Sequence, residues 1–125
     1  MSASRLPHDP KWTRSNTIFS GPREVADVAL IGIPAHEVSL STTSAHQTPG
    51  AIREALARYS TYSSAHNIDL RDIGLCDLGD VDSPDHELGE KKVAFAVAEV
   101  RAAHKLLIAL GGDNSITYSV AAGIF

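Results

Sequence analysis

The chain has 125 residues, 43% of them hydrophobic, with 11 Lys+Arg against 15 Asp+Glu for a formal net charge of -4. That is one ordinary domain with enough apolar material for a core. An acidic balance without a Lys/Arg run argues against nucleic-acid and anionic-membrane partners. No apolar stretch approaches the ~20 residues of a membrane span, and the N-terminus lacks the apolar core of a secretory signal. The single cysteine, Cys76, leaves no internal disulfide and no Cys-rich zinc site, which fits a cytoplasmic protein.

Residues 1–24 carry Pro7, Pro10, Gly21 and Pro22 among polar residues without period 2 or 3.6, and read as an irregular N-terminal arm in which Trp12 and Phe19 are anchoring aromatics. Residues 25–125 read as the domain. Val28 to Ile33 is a continuous apolar run stopped by Pro34, the signature of a strand buried on both faces. Thr48 and Pro49 then form a cap and first-turn pair, followed by Ile52, Ala55, Leu56 and Tyr59 at the spacing of one helical stripe. A second strand is expected over residues 73–78, ending at Gly79 and Asp80. Ser83-Pro84 reads as the start of a second helix, with Val93, Ala96, Val97, Val100 and His104 on its apolar face. The charged residues Glu90, Lys91, Glu99, Arg101 and Lys105 lie mainly on its other faces, a solvated surface. A third strand over residues 106–110 runs into Gly111, Gly112, Asp113, Asn114 and Ser115, and a further helix follows.

Strand alternating with helix predicts a parallel sheet with right-handed crossovers and helices on its faces. Ligands of such sheets bind beyond the carboxyl ends of the strands. Three polar segments converge there: His36 with Glu37, Asp77 with Asp80 and Asp82, and the Gly-Gly-Asp-Asn-Ser turn. The acidic trio lacks the spacing of a calcium loop and reads as structural carboxylates. The turn is neither a dinucleotide fingerprint nor a P-loop. Three apolar strands leave exposed edges, so a further segment is expected to complete the sheet.

Leu110-Gly111-Gly112-Asp113-Asn114-Ser115-Ile116-Thr117 resembles the Gly-Gly-Asp-His-Ser motif of the ureohydrolase family, the arginases, agmatinases and formimidoylglutamases. The family's first strand resembles Val28 through Pro34, its Ala-Arg-x-Gly-Pro-x-Ala-Ile-Arg helix start resembles the segment from Ala45 to Arg53, and its Asp-x-Gly-Asp strand end resembles Asp77 to Val81. Four motifs in order over residues 26–122 make the match specific, and Asp9-Pro10 with Trp12, the Ser39-Leu40-Ser41 loop and the Ala45-His46 and Thr48-Pro49 pairs most resemble the formimidoylglutamase-like branch. The resemblance implies an arginase-like three-layer α/β/α sandwich of which three strands are present. It also implies hydrolysis of a guanidino or formimino C–N bond with two Mn2+ ions, which lower the pKa of a bridging water. The implied substrate is a small amidine or guanidino compound, N-formimino-L-glutamate foremost and agmatine or guanidinobutyrate as alternatives, and the complete protein is implied to be a homo-oligomer. A degenerate, truncated or partner-dependent relative without catalysis is the other reading.

Two departures matter. Asn114 stands at the position of the family's histidine ligand, and a neutral amide oxygen is a weaker donor to Mn2+ than imidazole. The family's Asp-x-His-x-Asp and Asp-x-Asp motifs are absent from these 125 residues, so the chain alone is not expected to be active. Gly111, Gly112, Asp113 and Ser115 are expected to shape the turn and support Asn114 from behind, with Asn114 capping the following helix as the plainer role. His36, Glu37 and His46, the last at an arginine of the family pattern, are candidates for the substrate loop. His104 is expected to be a packed, satisfied histidine, and Cys76 a small buried hydrophobe.

Overall fold

The computed structural model describes residues 9–125. A parallel sheet is formed by β1 (Val28–Ile33), β4 (Leu75–Asp80) and β5 (Leu106–Gly111) in the spatial order β4-β1-β5. The helices are α1 (Thr48–Leu56), α2 (Gly89–Ala103) and α3 (Ile116–Ile124). A short antiparallel hairpin, β2 (Tyr62–Ser63) with β3 (Ile68–Asp69), fills the connection after α1. Asn67, at φ 52°, makes its turn.

The chain steps from β1 to one neighbour and then crosses back over β1 to the other. Because crossovers are right-handed, that reversal puts the two connecting helices on opposite faces. The side chains agree. Alternate residues Ala29, Ile31 and Ile33 pack with Val93, Val97 and Val100 of α2 and with Ile116 and Val120 of α3. A side chain at Gly32 would point to Pro49 of α1, so the other face carries α1. The result is a three-layer sandwich with β1 at its centre, five of whose six residues are buried.

Several elements differ from expectation. The second strand lies two residues later than predicted, because residues 70–72 close a 3-10 turn whose Leu70 carbonyl accepts from the Ile73 amide. The second helix begins at Gly89 and not at Ser83. Ser83 has φ 52°, which no helix N-cap adopts, and two tight turns (Ser83 carbonyl to His86 amide, His86 carbonyl to Gly89 amide) precede the helix. A Cβ on residue 89 would lie 1.8 Å from the Pro84 carbonyl oxygen, so only glycine permits this approach. The predicted stripe of α1 is incomplete: the helix stops at Leu56, and Ile52 and Tyr59 are exposed, because one nine-residue helix covers little of its face.

His104 sits just past α2 in extended conformation and not on its face. Its ring is buried and Nδ1 lies 2.8 Å from the Ala26 carbonyl oxygen, while Nε2 has no hydrogen-bond partner, so the histidine is half satisfied. Cys76 is buried in the sheet, and burial pushes its thiol pKa up.

The first eight residues of the predicted arm lie outside the described residues. Residues 19–21 run antiparallel along the outer edge of β4, the Gly21 amide donating to Leu75 and the Asp77 amide to Phe19. That covers part of one sheet edge. Trp12 is exposed and carries the Arg14 guanidinium 3.4 Å above its ring centroid.

Candidate functional site

The loop after β1 leads to α1 on one face, whereas the loops after β4 and β5 lead to helices packed on the other. The loops therefore part beside β1, and such a divergence opens a crevice at the carboxyl ends of the strands. All three polar segments meet there.

The β5 end is fastened to the β1 end through the main chain. The Gly112 amide donates to Ile33 at 2.8 Å and the Asp113 amide to Ala35 at 2.9 Å. Asp113 Oδ1 accepts from the Ser115 amide at 3.0 Å and the Ser115 hydroxyl at 2.5 Å, and Oδ2 accepts from the Ser39 hydroxyl. The Ser115 and Ser39 hydroxyls hold the Asp113 carboxyl below the usual carboxylate range, so it is ionised at neutral pH. Asp113 thus shapes the turn and ties it to the loop of residues 38–41. An open cleft of about 350 Å³ lies between that loop and residues 113–115.

Asn114 is exposed at this cleft, and its carbonyl accepts the Thr117 amide at 3.2 Å. The side-chain cap expected at the start of α3 is not formed: neither Asn114 nor Ser115 caps the helix, Ser115 turning back to Asp113 instead.

On the β4 side, Arg53 of α1 makes a bidentate pair with Asp77 (Nε 2.6 Å, Nη2 2.9 Å) and reaches Asp80 through Nη1 at 2.5 Å. Burial raises the Asp77 pKa, but the Arg53 hydrogen bonds and the Gly79 amide outweigh it and hold the carboxyl below its ordinary value. The pair with Asp77 in turn raises the Arg53 pKa. These acids clamp helix to strand through the one guanidinium.

The third component was not evident from sequence. Asp85, in the loop before α2, accepts from the His36 amide at 3.0 and 3.1 Å and from the Glu37 amide at 3.3 Å. His46 lies against His36 with ring centroids 4.3 Å apart. The three substrate-loop candidates are thereby gathered, His36 and His46 by their rings and Glu37 by its backbone. Asp85 and Ser39 lie 49 and 74 residues from the groups they hold, and no local spacing signals such pairs.

Among the described residues no group of three or more His, Cys, Asp or Glu is placed to hold a metal ion. Asn114 offers one neutral oxygen, and the neighbouring Asp113 is committed to serines. These residues do not by themselves fit a two-manganese centre. No helix among the described residues is long and apolar enough to cross a membrane.

The profile described as "Arginase family" matches residues 26–125. A formimidoylglutamase of Halobacterium salinarum is 36% identical over 96 residues, 74% of this chain and 30% of that protein. An agmatinase of Pyrococcus horikoshii is 32% identical over 96 residues, 74% of this chain and 34% of its own. The crystal structure of formimidoylglutamase from Bacillus subtilis has a TM-score of 0.83 and 29% identity, covering 99% of this chain and 41% of that one. Formiminoglutamase of Trypanosoma cruzi, solved with Mn2+, has a TM-score of 0.80 and 27% identity over 90% of this chain and 40% of that one. The chain spans about a third of the length of the curated relatives it matches.

Proposed function

Because this chain belongs to the arginase family, we propose that it forms the first portion of a hydrolase that cleaves the C–N bond of N-formimino-L-glutamate, giving glutamate and formamide. The fold likeness to a formimidoylglutamase over 99% of the chain is the observation that carries this reading. The similar agmatinase supports a second one, a ureohydrolase that releases urea from a guanidino substrate. A cytoplasmic setting fits the buried free thiol of Cys76, and a homo-oligomer is part of the same proposal.

In this reading the chain supplies one wall of the site and not the whole of it. Asn114, held at the cleft by the Asp113 turn, is its one contribution to Mn2+ binding, and the other ligands come from outside these residues. The Asp113 and Asp85 anchors keep the loop of residues 36–41 in place as the substrate wall. Preorganised walls of this kind let binding energy go into orientation.

The test is turnover by the complete protein with Mn2+. Formamide from N-formimino-L-glutamate is expected; urea from agmatine or guanidinobutyrate would select the second reading, and neither product would favour a relative without catalysis. Asn114→His is expected to tighten Mn2+ binding by about tenfold in equilibrium dialysis. An unchanged affinity would remove Asn114 from the metal.

A further inference from the structure

The carboxylate of Asp85 is almost sealed, its side chain 7% exposed, in a loop that no family motif singled out. A buried carboxylate is costly unless its oxygens are satisfied. Two main-chain amides, those of His36 and Glu37, do part of this. The third group facing it is the His36 ring. Nδ1 lies 3.3 Å from Asp85 Oδ2, at ion-pair distance but outside hydrogen-bond geometry, is shielded from solvent, and has no hydrogen-bond partner.

For the neutral ring, one proton placement suits that arrangement. A bare Nδ1 would set its lone pair against a carboxylate oxygen, whereas a protonated Nδ1 is attracted to it. Nε2 of the same ring is not sealed in this way. The ring is about one-third exposed and the His46 ring backs it, while its neighbours Ala35, Val38 and Asp85 help to line a cavity of about 320 Å³.

We infer that Asp85 is a positioning residue: it keeps the proton of His36 on Nδ1 and so presents a bare Nε2 as hydrogen-bond acceptor to an N–H of an amidine or guanidino substrate at the rim. The choice of substrate class rests on the function proposed above; the Asp85–His36 pairing does not. A carboxylate that fixes an imidazole's tautomer is a recurrent device. Here it also fixes the loop, because the same two oxygens hold the backbone of residues 36 and 37.

Two measurements judge the inference separately. Long-range 1H–15N correlation spectra of this chain should show neutral His36 protonated at Nδ1, with Asp85→Ala shifting it toward the Nε2–H form. An Nε2–H form in the wild type, or a pattern unmoved by Asp85→Ala in a folded variant, overturns the pairing. In the complete protein, Asp85→Asn and His36→Ala should each raise KM about tenfold with kcat within about twofold, and the double variant should be no worse than either. Fully additive effects, or an unchanged KM in His36→Ala, overturn the acceptor role. A complete protein that turns over no amidine or guanidino substrate overturns the proposed activity and the acceptor role with it, and the spectra still decide the part played by Asp85.

Discussion

Gly112→Ala is expected to destabilise the chain by about 3 kcal/mol, the upper end of what overpacking costs. A Cβ there would sit 1.9 Å from the Ala35 carbonyl oxygen, 2.7 Å from its nitrogen and 2.8 Å from its carbonyl carbon. Those atoms are main chain and cannot rotate away. The clash falls between two hydrogen bonds that join the strand ends, Gly112 to Ile33 and Asp113 to Ala35, so relief requires breaking one of them. Thermal and urea unfolding should show the loss, with Tm lower by roughly 10 °C for a chain of this size. The same displacement would move Asp113 off Ser39 and carry Asn114 with it, so activity of the complete protein should fall together with stability. An unchanged melting curve would mean that the ends of β1 and β5 do not approach as described.

Arg53→Met is expected to cost about 2 kcal/mol near neutral pH and to change the acid sensitivity of the fold. Methionine keeps much of the arginine's apolar stem and removes the charge that Asp77 and Asp80 share. All three side chains are partly exposed, so solvent screening keeps the loss below that of a fully buried pair. The pH dependence follows from the depressed pKa of Asp77. A carboxylate held below its unfolded value, about pH 4, contributes its full stabilisation above that pH and loses it as pH falls through the folded value. The wild type should therefore shed this contribution below about pH 4, and the variant should lack that part of the acid transition. Urea titrations at a series of pH values from neutral downward would measure it. Parallel wild-type and variant profiles would show that the clamp contributes nothing to acid stability.

Much of the site was legible because each motif couples a strand end to the turn that follows it. The run Val28–Ile33 has no polar residue, so it forms the central strand whatever its neighbours, and the glycine pair after β5 marks a turn at the sheet's rim. Ser83-Pro84 misled for a local reason. The pair reads as a helix start, yet Ser83 takes a left-handed conformation and Gly89 lets the chain fold back on Pro84, which delays α2 and frees Asp85 to reach across to His36. The hairpin between Tyr62 and Asp69 is not legible in the sequence because two-residue strands carry no period.

The order of apolar runs and caps, with the residue types at the rim, was determined by the sequence itself. Hydrophobic periodicity acts within one element, where neighbours along the chain are neighbours in space. The strand order β4-β1-β5, the arm laid along β4, the Arg53 clamp and the joining of Ser39 to Asp113 and Asp85 to His36 were decided only by the tertiary structure. Each of these pairs groups from distant elements, and whether a carboxylate finds an amide, a hydroxyl or a guanidinium depends on crossovers and packing that no local pattern encodes.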